Sequence, residues 1–126
     1  MNILTVLAAA LAGGIGAAAR VFVDGTVRTR WPAPTFPAGL VLINVTGSLG
    51  LGLVSGLALG SLVSPEWQVI LGGGLLGGYT TFSTASVDTA MLFRKGRPVA
   101  AIATGLGMLI GSVAAAGLGL WVGLQL

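Results

Sequence analysis

From Gly77 to Ser86 the chain reads GGYTTFSTAS, which sets hydroxyls at Thr80, Thr81, Ser83, Thr84 and Ser86 around the ring of Phe82. A hydroxyl donates one hydrogen bond and accepts two, so this is a poor centre for a membrane span and a candidate ion site. The backbone of the same stretch carries a second chemistry. Gly72, Gly73, Gly74, Gly77 and Gly78 each lower helix propensity by about 1 kcal/mol against alanine. Threonine and serine also offer the backbone competing hydrogen bonds. A helix break is expected here. It would free carbonyl oxygens, which suit a hard cation such as Na⁺, and N–H groups, which favour anions. The same pattern fits a flexible kink whose hydroxyls bond back to carbonyls, and the residues alone leave both readings open.

Other polar residues stand inside apolar runs. Asn44 lies in LINVTGSLG with Thr46 and Ser48 nearby, and its amide can donate two hydrogen bonds. Its plainest role is a clasp between helices, worth about 0.6 kcal/mol on average in membranes. Ser112 taken alone reads as a small packing residue. Asp88 is the one acid deep in an apolar run; it is a functional candidate by default, paired with an arginine or set near a vestibule. Arg20 lies near the end of an apolar run, where snorkelling accounts for it.

The elements that position these residues follow from composition. The chain has 126 residues, 55% hydrophobic and 7% charged, with mean hydropathy +1.00. A soluble domain carries about 25% charged residues, so this chain cannot cover a water-facing surface and reads as an integral membrane protein. The absence of cysteine excludes a disulfide framework and a thiolate metal site. The absence of histidine removes the commonest general base. With three scattered acids there is no nucleophile–base set, so an enzyme is not expected. Six cations are too few and too dispersed for a nucleic-acid surface, but a positive balance suits a protein that handles anions.

A membrane span needs about 20 apolar residues, and four segments qualify: 3–23, 38–63, 67–93 and 98–124. Backbone groups in lipid must be satisfied within each segment, so these are expected helices of a single membrane domain. The first begins without a preceding Lys or Arg, so it reads as a span and not as a signal peptide, although Ala17-Ala18-Ala19 resembles a cleavage site. The longest connection is expected from Asp24 to Pro37, stiffened by Pro32, Pro34 and Pro37. Glycines at small-residue spacings, among them Gly13, Gly14, Gly16, Gly47, Gly50, Gly52, Gly56, Gly60, Gly107 and Gly111, predict close helix packing and a subunit that oligomerises. Arg28, Arg30, Arg94, Lys95 and Arg97 fall in the first and third connections, five cations against none in the second connection and the termini. The positive-inside rule then puts those connections in the cytoplasm and both termini outside.

GGIGAAAR (Gly13 to Arg20), LINVTGSLGLG (Leu42 to Gly52) and GGYTTFSTAS, in that order and spacing, resemble the Fluc/CrcB fluoride channels over the full length of the chain. The resemblance implies an all-α membrane protein of four transmembrane helices with a broken third helix, assembled as an antiparallel dimer with two pores in a prokaryotic plasma membrane. It implies passive, selective export of fluoride that protects the cell. It also implies a structural Na⁺ at the dimer centre held by carbonyls that match Gly77 and Thr80. The pore residues match Asn44 and Phe82, with hydroxyls of Ser83, Thr84 and, more loosely, Ser112 along the path. Asp88 takes the place of an acid near the vestibule, and Arg20 that of a vestibule or structural charge.

One position departs from the family string, which usually ends in a second phenylalanine where this chain has Ala85. A homodimer would lack that ring throughout. The lopsided charge also opposes insertion of one sequence both ways. Together these predict a heterodimer with a homologous, oppositely oriented subunit, and a non-conducting partner subunit is the alternative reading. A small four-span multidrug exporter is a further rival, but such proteins use a carboxylate within the first span, and here no acid precedes Asp24.

Overall fold

The computed structural model describes residues 1–32 and 37–126, so Pro34, one of the expected stiffening prolines, lies outside the described residues. The described residues are helical with no strand: α1 (Ile3–Arg30), α2 (Ala38–Leu59), α3 (Pro65–Gln68), a π-helical stretch (Val69–Leu76), α4 (Gly77–Tyr79), α5 (Ser83–Arg94) and α6 (Pro98–Gln125). Three of these, α1, α2 and α6, are long and apolar enough to cross a membrane. The third expected span is divided: residues 65–79 wind continuously, the winding stops, and α5 resumes it.

Two boundaries differ from the sequence reading. The connection expected to start at Asp24 is helical as far as Arg30. Asp24 and Arg28 form an i,i+4 ion pair at 3.1 Å, and Arg28 and Arg30 in the last turn face the negative end of the helix dipole. Trp31, ahead of Pro32, leaves helical geometry because the proline ring crowds the preceding residue out of the α region. The glycine run does not itself break the third segment. It widens it: the Gly77 N–H reaches back five residues to the Gly72 carbonyl, and the interruption comes later, at 80–82.

Direction alternates along the chain, and glycine sets how close the rods come. A Cβ on Gly52 would sit on the Ala116 carbonyl, and one on Gly119 would sit on that of Leu49, so α2 and α6 run parallel with backbones touching. Residues 74–79 lie on α1 in the same way, Gly78 against the Gly13 carbonyl and Gly16 against that of Leu75. Gly107, expected in such a seam, faces open space; Gly119 and Gly123 make the contact on α6. Ile43 and Ala101 are fully buried and Leu40, Leu92 and Met108 nearly so, which places the small core between α2, α5 and α6. Most long side chains of α1 and α6 point outward, as lipid-facing helices do.

Both tight turns are glycine-type helix ends. After α5, Gly96 takes a φ of +74°; its N–H donates to the Phe93 carbonyl and that of Arg97 to Leu92, the Schellman pattern. After α2 the same pair of bonds forms, but Ser61 holds the left-handed position at φ +65°.

Ser61→Gly is predicted to raise the stability of the detergent-solubilised protein by about 1 kcal/mol, because a side chain in left-handed geometry costs about that much. Gly52→Ala is predicted to lower it by about 1–3 kcal/mol by forcing α2 off α6. Gly25→Ala, with nothing within 4 Å of the new methyl, is predicted to be neutral or slightly stabilising. Thermal unfolding of the three variants checks the order.

Candidate functional site

The interruption at 80–82 is held from another helix. Thr80 is extended, with φ −80° and ψ 159°. The N–H of Thr81 therefore has no carbonyl of its own helix to meet, and it donates to Oδ1 of Asn44 on α2 at 2.9 Å. In return Nδ2 of Asn44 donates to the Thr81 carbonyl, also at 2.9 Å. The amide thus replaces both halves of a lost backbone link. Because Thr81 offers one donor and one acceptor, the reciprocal pair fixes which end of the Asn44 amide is oxygen. The second Nδ2 hydrogen points to the Met108 sulfur at 3.2 Å. Asn44 is buried, at 9% exposure.

Other backbone groups at the break keep free valence. The last amide of the first half, Thr80 N–H, donates to Leu76. The carbonyls of Gly77, Gly78, Tyr79 and Thr80 accept from no backbone amide beyond it, since the Thr81 N–H goes to Asn44 and that of Thr84 to the Thr81 hydroxyl. On the far side the N–H groups of Phe82, Ser83 and Ala85 have no backbone acceptor. A few residues therefore separate a cluster of free carbonyls, negative by the helix dipole, from a cluster of free amides, positive by the same dipole.

The hydroxyls differ in what they bond. Thr80 and Ser86 bond back to the carbonyls of Leu76 and Phe82, both at 2.9 Å, as does Thr46 to Leu42 at 2.6 Å. The Thr81 hydroxyl receives the Thr84 N–H at 3.3 Å and stands 3.5 Å from that of Ser83. Those of Ser48, Thr89 and Ser112 make no hydrogen bond within the described residues.

A cleft of about 670 Å³ opens beside the break, between α2, α5, α6 and the π-helical stretch. It brings together Asn44, Gly77, Thr80, Phe82 and Ser112 from the sequence reading. Phe82 is 86% exposed, its ring standing free at the mouth. Ser83, Thr84 and Asp88 lie on α5 but not on the cleft, and Arg20 is on α1 away from it. Asp88 makes no ion pair among the described residues, contrary to the arginine partner allowed for it; the pair that forms is Asp24 with Arg28. Arg20 carries a buried Nε with no acceptor among the described residues. The cleft also takes in Ser48, Thr81, Ser86, Thr89 and Met108. Ser86 and Thr89 were reachable from the helical spacing of Ala85 and Phe93. Met108 was not, since nothing local ties it to a residue 64 positions earlier. Among the described residues no Lys, Arg, Asp or Glu lines the cleft, so whatever enters meets neutral donors, carbonyls and rings.

Residues 7–123 match the family described as CrcB-like protein, Camphor Resistance (CrcB). Among curated relatives, the chain is similar to the fluoride-specific ion channel FluC 1 of Leifsonia xyli subsp. xyli, 54% identical over 98% of this chain and 89% of that protein. It is similar to FluC 2 of Cutibacterium acnes, 47% identical over 95% of this chain and 98% of that one. FluC 3 of Bifidobacterium longum is 39% identical over 92% and 96%.

Asn44→Ala is predicted to leave the Thr81 N–H and carbonyl unpaired at about 1–3 kcal/mol each. That loss exceeds the ~0.6 kcal/mol of an average interhelical side-chain bond. A drop of several degrees in thermal midpoint and faster hydrogen exchange at the Thr81 amide are the expected readings.

Proposed function

The chain belongs to the CrcB family, and on that premise we propose that it is a fluoride-selective channel for passive export of the ion across the plasma membrane. The observation that carries the reading is the cleft at the helix break, walled by neutral donors and a ring, with no charged side chain among the described residues that line it. Fluoride is small and tightly hydrated, so a path for it must offer replacement donors. The Asn44 amide and the Ser112 hydroxyl supply them, and the exposed Phe82 ring offers its positive edge. A lysine or arginine in the same wall would bind the anion too deeply; conduction requires sites weak enough to leave.

The free carbonyls fit a structural Na⁺. Gly77 and Thr80 each present a carbonyl oxygen without a backbone donor, the ligand type a hard cation takes. When bound there, the ion raises the local electrostatic potential beside the anion path.

Residues 65–94 complete a fourth crossing in this reading, because non-helical backbone at membrane depth survives where it is buried or lines a polar cavity. The open cleft and free-standing Phe82 favour a second subunit closing the path in an antiparallel dimer. Ala85 lies in the cleft wall, where a methyl leaves space for a ring from a partner. The five cations gathered at one end favour a single orientation with both termini outside. A heterodimer with a homologous, oppositely oriented subunit accounts for both features. In the second reading, which Ala85 favours, this chain is the partner that completes a pore without conducting in its own.

Liposomes loaded with fluoride test the proposal. The chain reconstituted with its homologous partner is expected to release fluoride and retain chloride, and the chain alone to release little. Strong release from the chain alone overturns the heterodimer, and no release in either case overturns the channel. Phe82→Ile is expected to slow release at least tenfold, about 1.4 kcal/mol on the barrier; unchanged release removes Phe82 from the path. Tags at the termini are expected to react with impermeant reagents outside the cell.

A further inference from the structure

We propose that Met108 is a positioning residue for anion transfer, whose thioether holds the second Asn44 N–H as a displaceable acceptor until an anion takes its place. The inference rests on the fluoride-channel reading and concerns a residue to which that reading gives no part.

The Asn44 amide has no freedom to turn. Its oxygen accepts from the Thr81 N–H and one of its two hydrogens goes to the Thr81 carbonyl, so rotation about the amide axis would break both bonds. The remaining hydrogen is directed at α6, where Met108 meets it with sulfur at 3.2 Å. Met108 is 6% exposed and lines the cleft beside Ser112, one helical turn further on. The one movable hydrogen bond of a rigid amide therefore opens onto the candidate path.

The type of acceptor matters. With none, the buried N–H would stand unpaired, and an arriving anion would be held too firmly to leave. A carbonyl or carboxamide oxygen would satisfy the N–H so well that the anion could not compete. A thioether is a weak acceptor on an unbranched side chain that swings aside readily. It keeps the donor ordered between ions and yields to a charged acceptor, whose hydrogen bonds are roughly twice as strong as neutral ones. The Ser112 hydroxyl, with no partner among the described residues, is the next donor along the same wall.

The chain has two asparagines, Asn2 and Asn44, so the Asn44 side-chain NH₂ signals can be assigned in ¹⁵N-labelled full-length protein in lipid nanodiscs, titrated with sodium fluoride against sodium chloride. Fluoride is expected to shift the hydrogen facing Met108 strongly and that facing Thr81 little. Met108→Leu, which keeps the bulk and removes the acceptor, is expected to lower the half-saturating fluoride at least threefold. Met108→Gln, which adds an oxygen acceptor, is expected to raise it at least threefold. An unchanged Thr81 amide signal in both variants marks an intact break. Should one variant misfold, the opposite shift in the other decides alone, with Met108→Ile replacing Leu or Met108→Asn replacing Gln. Equal titration of wild type and variants, or Asn44 signals that ignore fluoride, overturns the inference. If liposomes release fluoride while Asn44 ignores it, only the inference falls; if they release none, the channel reading falls, and the order of the variants still judges Met108.

Discussion

Everything at the centre of this fold depends on a side-chain amide doing the work of a missing helix turn. At Thr80 the backbone swings to a ψ of 159° and the helix of 65–79 ends inside the molecule. Open backbone in an apolar setting costs several kcal/mol per unpaired group. Asn44 removes that cost at Thr81 by pairing with both its N–H and its carbonyl. The remaining free groups then sort by sign, carbonyls before the break and amides after it. A continuous helix would have no such polarity along its middle, because its ladder would consume every one of them.

The amide can reach Thr81 only because the rods stand close, and they stand close because of glycine. Gly47 on α2 lies against Thr80 and Tyr79, and Gly52 and Gly56 press α2 onto α6. On the other side Gly16 and Gly13 receive residues 74–79. Tyr79 adds a lateral tie, its hydroxyl 3.1 Å from that of Thr46. The break is thus framed by backbone-to-backbone contact with α1 on one flank and by the Thr80 and Tyr79 side chains seated on Gly47 of α2 on the other, which is what lets an extended pair of residues persist in one place instead of fraying. The chemistry on offer is correspondingly mild: neutral donors, a ring edge and carbonyl oxygens, a set suited to passing an ion and poorly suited to transforming a substrate.

Much of this was legible in the residues. Hydropathy alone gave the all-helical character, and the hydroxyl cluster after Gly78 located the interruption to within a few residues. Asn44, Phe82 and Ser112, conspicuous by type within apolar runs, share one cleft. What escaped was long-range or a matter of degree. The glycine run at 72–74 reads as a break by propensity, yet packing against α1 holds it as a wider helix. Asp24 looks like the start of a loop until Arg28 is seen four residues on, able to pair with it along a helix. Ser83 and Thr84 look equivalent to Ser86 in the string, but helical phase turns them off the cleft. Met108, apolar by type, gave no sign that its sulfur faces an amide hydrogen.

The most direct test of the central claim is solid-state NMR of the labelled protein in lipid bilayers, reading the Thr80 Cα and Cβ shifts together with transfer between Asn44 Nδ2 and the Thr81 carbonyl carbon. Extended-backbone shifts at Thr80 with a cross-peak between Asn44 and Thr81 are predicted. Helical shifts running unbroken from Gly77 to Thr84, with no such cross-peak, would contradict the account.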